Sequence, residues 1–150
     1  MKKIFLLGLL FLFSIHILRA ESYWNYEPYS TEGREFYVTF MMNAGGHGND
    51  NVLQFYLYAS TRSDKANIVV ENPTTGYKKE FNCTKNEVGK IEIPNIHGYL
   101  DTENEVLPRG LKVTSDVPIS LYASNHNHES YDATNVLPIE ALSTEYIIQT

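Results

Sequence analysis

His126 and His128 stand two residues apart in SNHNHESYDATNVLP (124–138), with Glu129 and Asp132 close behind. Neutral imidazole nitrogens bind transition metals, and carboxylates commonly complete the ligand set. On a β-strand, residues i and i+2 project from one face. That spacing would let His126 and His128 hold one ion, with Asp132 as a third ligand and His47 or Asp50 added if the 43–51 loop approaches. The competing reading is an ordered surface loop whose Asn and Asp side chains bond to their own backbone. The residues flanking the histidines are all polar, so no apolar partner alternates with them to hold a strand in place. The loop is the preferred reading, and no metal or other cofactor is expected.

The H-x-H pair with a later acid is similar to the cupin pattern, and that resemblance implies a metal-dependent enzyme using His126, His128 and Asp132. Cupin motifs carry glycines before the histidines and after the acid. This sequence has Ser120 in the first region and no glycine from 129 to 150. Other catalytic signatures are missing from the sequence: it has no G-x-S-x-G elbow, no H-E-x-x-H and no glycine-rich loop opening a helix. Cys83, the single cysteine, ends an alternating run in EFNCTKN with no histidine nearby, which favours a packed thiol over a nucleophile. The sequence therefore predicts no catalytic residues and no enzyme.

Strand patterns dominate the chain. REFYVTFMM (34–42) sets Phe36, Val38, Phe40 and Met42 against Tyr37, Thr39 and Met41. VLQFYLYAS (52–60) sets Leu53, Phe55, Leu57 and Ala59 against Gln54, Tyr56 and Tyr58. Further runs lie at 66–73, 77–83, 89–94, 110–115, 118–125 and 145–150, bounded by Gly, Pro and Asn. Short β-rich runs at this spacing predict an all-β fold, an antiparallel β-sandwich of jelly-roll or Greek-key type. NPTTGY (72–77) is a tight connection in which Gly76 takes positive φ. SDVP (115–118) is a second, with Asp116 folding back onto backbone amides and Pro118 opening the next strand. Residues 97–108 form an acidic surface loop, and PIEALS (138–143) a short helical turn.

The N-terminus has a different grammar. Lys2 and Lys3 precede an apolar run from Ile4 to Leu18, followed by Arg19 and the small Ala20. This is the order of a secretory signal peptide over residues 1–20, too short for the roughly 20 apolar residues of a spanning helix. Residues 21–150 then form the module, secreted or displayed at the cell surface, with no membrane insertion after leader removal. Losing Lys2, Lys3 and Arg19 leaves nine basic against 18 acidic residues, a formal charge of −9. Such a surface excludes nucleic acid as a partner, because phosphate binding needs clustered Lys and Arg.

Two stretches carry a family resemblance. GREFYVTFMMN (33–43) and GLKVTSDVPISLYASNHNHESYDATNVLPIEALSTEYIIQT (110–150) resemble the N-terminal domain family of the IgG-Fc-binding mucus protein. The resemblance implies a binding or adhesion role without catalysis, towards an extracellular protein or glycan. Domains of that family run longer, and STEYIIQT reads as mid-strand, so the chain is expected to be the first portion of a longer β domain. Its 11 tyrosines include Tyr56, Tyr58 and Tyr122 on faces opposite the aliphatic ones. Tyrosine suits contact surfaces, but ordinary sandwich burial favours packing on both faces, and packing is the expectation here. No particular ligand-binding residue is singled out.

Overall fold

The computed structural model describes residues 30–41, 53–102, 105–127 and 130–142. Residues 1–20, read from sequence as a signal peptide, His47, Asp50, His128, Glu129 and the 145–150 run lie outside the described residues. Those described are nearly all β: β1 (Glu32–Val38), β2 (Gln54–Ser60), β3 (Lys65–Asn72), β4 (Tyr77–Thr84), β5 (Gly89–Ile93), β6 (Leu111–His126) and β7 (Tyr131–Val136). One helical turn, α1 (Asn95–Gly98), and a 3-10 turn (Ile139–Ala141) complete them. The 3-10 turn falls where PIEALS predicts helix. No helix among the described residues is long and apolar enough to cross a membrane.

Every strand pairing is antiparallel. The first half of β6 lies between β3 and β1, and its second half between β2 and β7. Two half-sheets, β4-β3-β6-β1 and β5-β2-β6-β7, thus share one long strand. Period-2 patterning sends alternate residues inward: Phe55, Leu57 and Ala59 of β2, Ile68 and Val70 of β3, and Val113, Ile119 and Leu121 of β6 are fully buried. Each large aliphatic or aromatic side chain so placed contributes about 1.5–3 kcal/mol of burial.

The SDVP segment is not a turn. β6 runs through it for 16 residues. Between the pairs Gly33↔Ile119 and Glu35↔Thr114, β1 advances two residues while β6 advances five. The extra residues make a bulged corner that carries β6 from one half-sheet into the other. The turn-type residues do mark a break in the ladder, but the chain bends there instead of reversing. The Asp116 carboxylate accepts from the Asn67 backbone amide at 2.8 Å and from Asn67 Nδ2 at 2.7 Å, extending the β3 ladder with a side chain. The Pro118 carbonyl accepts from Thr61 Oγ1 at 2.9 Å.

A second correction concerns residues 131–136, read from sequence as loop and found as β7. Every residue of β7 before Val136 is exposed, so this edge strand carries no hydrophobic alternation to reveal it. A third concerns the start of the 97–108 segment, which is core and not surface loop. Gly98 and Tyr99 are buried, and Tyr99 stacks on Phe55 at 5.1 Å. Phe40 bridges to this segment, donating to the Gly98 carbonyl and accepting from the Leu100 amide, each at 2.8 Å.

The remaining edges are tied together by backbone approach. Thr84 and Glu87 pair across a tight turn, and Gly89 abuts the Asn82 carbonyl so closely that a Cβ would stand 2.4 Å from it. β4 and β5 therefore meet opposite β6, and the sandwich is nearly closed into a barrel. Gly76 has φ of 73° as the turn requires. Asn72, 1% exposed, accepts from the Thr74 and Thr75 amides and donates to the Pro108 carbonyl at 2.6 Å. Cys83 is buried in β4, where burial pushes its thiol pKa up.

Gly33 and Pro138 join the N-terminal strand to the segment that follows β7. Pro138 is fully buried and bridges to Phe36, and a Cβ on Gly33 would lie 2.2 Å from the Pro138 Cβ. Gly33→Ala should therefore destabilise the fold by about 1–3 kcal/mol or more through overpacking. Gly110→Ala, where nothing lies within 4 Å, is the matched control; equal denaturation midpoints for the two variants would refute the contact.

The Asn67 amide, followed by the Asn67 side chain, holds the Asp116 carboxyl below its usual value. A lowered folded pKa means the stabilisation is present above the unfolded value and lost as pH falls through the folded one. Asp116→Asn should thus lower the urea midpoint at neutral pH, and its gap from wild type should close below roughly pH 4, near the ordinary Asp pKa. A gap that is constant with pH would exclude the carboxylate as its source.

Candidate functional site

The outward positions of β5-β2-β6-β7 form an aromatic face. Register places Tyr58 beside Tyr122, Tyr56 beside Ser124, and Gln54 beside His126, which in turn lies beside Tyr131. Strand alternation fixes this on β2 and β6, where Tyr56, Tyr58 and Tyr122 each stand between buried core residues, and the β6–β7 register carries the same face through His126 to Tyr131. The His126 ring sits edge-on between Tyr56 at 5.1 Å and Tyr131 at 4.8 Å. Its Nε2 shares a 2.8 Å hydrogen bond with the Oγ of buried Ser124. Tyr58 lies 6.2 Å from Tyr56, and the Lys90 ammonium caps the Tyr56 ring at 3.7 Å.

Tyr56, Tyr58 and His126 are half-buried against one another, whereas Tyr122 is 44% and Tyr131 73% exposed. The expectation that both faces would be packed fails for this half-sheet, whose outer face meets solvent. The reason is topological: the core lies on one side of β5-β2-β6-β7, and the tyrosines pack laterally on the other. Lys90 and Tyr131 escaped the sequence reading. Tyr131 stood in a supposed loop, and Lys90 matters only through the β2–β5 register, Tyr58↔Lys90.

Behind β7 lies a cleft of about 270 Å³, lined by Phe40, Met41, Ala123, Asn125, Asp132 and Thr134 among others. Asn125 Nδ2 donates to the Met41 carbonyl at 2.8 Å, and its Oδ1 is buried without a partner. The register Asn125↔Asp132 puts Asp132 on this inner side, while His126↔Tyr131 puts His126 on the outer one.

That geometry corrects the metal hypothesis in part. His126 and Asp132 face opposite sides of the sheet and do not converge on one ion. The Nε2 of His126 is already engaged by Ser124. His128, the other imidazole of the motif, lies outside the described residues. No group of three or more His, Cys, Asp or Glu side chains arranged to hold a metal occurs among the described residues.

The aromatic face can stack against planar or C–H-rich ligand surfaces and hydrogen-bond through phenol hydroxyls. Comparison with protein-family models, curated proteins and solved structures finds no match for this chain. Because Asp132 and His126 lie on opposite faces, Asp132→Ala should leave any divalent-metal affinity, measured by calorimetry with Zn²⁺, unchanged. Loss of a stoichiometric Zn²⁺ site in that variant would overturn the register on which this reading depends.

Proposed function

We propose that the chain is a secreted or cell-surface binding module that recognises an extracellular protein or glycan and performs no catalysis. The observation that carries the reading is the solvent-facing aromatic platform of β2, β6 and β7, with Tyr122 and Tyr131 as its most exposed rings. Tyrosine offers a rigid ring and a polar tip at low conformational cost, which is why it recurs at recognition surfaces. The signal-peptide pattern of residues 1–20 and the resemblance to the IgG-Fc-binding family's N-terminal domain support the same reading. The acidic balance of the chain is consistent with partners other than nucleic acid.

Panning the purified protein over immobilised extracellular proteins and glycans tests this directly. Wild type should retain at least one partner that Tyr122→Ala/Tyr131→Ala loses. Tyr37→Ala, an exposed tyrosine on β1 and hence on the other half-sheet, should keep it. Retention by the double variant would remove the aromatic face from the proposal.

A further inference from the structure

The size, chemistry and charge of the aromatic face together narrow its partner. Four strands about 4.8 Å apart and three outward rows about 6.8 Å apart give a patch of roughly 400 Å². A standard protein–protein interface buries about 800 Å² per partner, about twice this footprint. The outward positions are also nearly free of aliphatic groups, Ala133 being the sole one among the described residues of these strands. Protein-binding patches centre on a desolvated apolar core. Here rings alternate with exposed amide groups such as those of Gln54 and Asn135.

The two most exposed rings are spaced for a small elongated ligand. Tyr122 and His126 are four residues apart on β6, and Tyr131 stands opposite His126. The separation of the Tyr122 and Tyr131 positions along the strand is therefore roughly 14 Å, the reach of two or three linked pyranose rings. Between them lie Ser124 and Ala133, flanked by the half-buried, edge-packed Tyr56 and His126. Pyranose C–H faces stack on exposed aromatic rings, and the sugar hydroxyls need neighbouring donors and acceptors, both of which the face supplies.

Charge decides between neutral and anionic sugars. Lys90 and Glu92 are the charged residues at outward positions of β5 and offset one another, and neither forms an ion pair among the described residues. The chain without its leader carries a formal charge of −9, which repels sialylated or sulfated ligands. We infer that this face binds a short neutral glycan of two or three sugar units, stacked on Tyr122 and Tyr131. The inference rests on the binding-module reading and adds the ligand class to it.

The test is a printed array of neutral di- to tetrasaccharides built from hexoses and N-acetylhexosamines, with sialylated and sulfated counterparts, followed by calorimetric titration of the best binder. At least one neutral glycan should bind. Tyr122→Ala or Tyr131→Ala should each weaken it about tenfold, as loss of one dominant contact does, with the thermal midpoint unchanged because both rings are exposed. No glycan bound, charged glycans alone bound, or wild-type affinity retained by both variants would each overturn the inference. A protein partner lost by the double variant, with no glycan bound, would sink the glycan assignment while leaving the binding face standing. A partner of either kind that is indifferent to the double variant would bring down the binding face itself.

Discussion

β6 is the strand on which the rest of the molecule hangs. It contacts β1, β2, β3 and β7, and without it the two half-sheets share no central strand. What allows one strand to serve both is the slip of register opposite Gly33–Glu35, where five steps of β6 answer two of β1. A continuous regular ladder would give one sheet twisting gradually onwards. The bulged corner turns the strand instead, and the buried aliphatic residues on either side of it, Val113 before and Ile119 after, come to face a common core. Asp116 and Thr61 hold the corner by supplying side-chain partners where the backbone ladder is interrupted. Left unpaired, such groups would carry a desolvation cost of about 1–3 kcal/mol each wherever they are buried.

The aromatic face is a by-product of the same alternation. Each inward step that buries Phe55, Leu57, Leu121 or Ala123 commits the next residue to the opposite face. On β2 and β6 those residues are Tyr56, Tyr58, Tyr122 and Ser124, and the register continues the same face through His126 to Tyr131 of β7. Because no second layer among the described residues covers that side, the rings satisfy one another laterally through edge and tilted contacts. His126 illustrates how context sets a residue's role. The imidazole that suggests a metal ligand in the sequence is here a spacer between two tyrosines, held by a hydroxyl from Ser124.

Legibility followed the hydrophobic period. β2, β3 and β4 carry alternating or β-branched runs bounded by turn residues, and their positions were readable to within a residue or two. The NPTTGY turn was readable too, since Gly76 needs a backbone region that other residues avoid. SDVP misled because Asp and Pro break a ladder equally well at a hairpin and at a bulge; the distinction lies in whether the following strand returns or continues. β7 was illegible for another reason. YDATN faces solvent on one side and an open cleft on the other, so neither face imposes an apolar pattern.

The sequence by itself determined the all-β class, most strand positions and the residues that alternate into the core, because burial of apolar side chains acts locally with the period of the strand. It also placed Tyr56, Tyr58 and Tyr122 opposite that core. Only the tertiary structure decided that the tyrosine side stays open and that Tyr131 and His126 extend it. It likewise decided that Asp132 turns away from His126, and that Gly33 admits Pro138 from the far end of the chain. These outcomes depend on register and on which strands become neighbours, and both are set by contacts between residues far apart in sequence. A change of one residue in pairing would exchange the two faces of β7, sending Asp132 to the aromatic side and Tyr131 into the cleft.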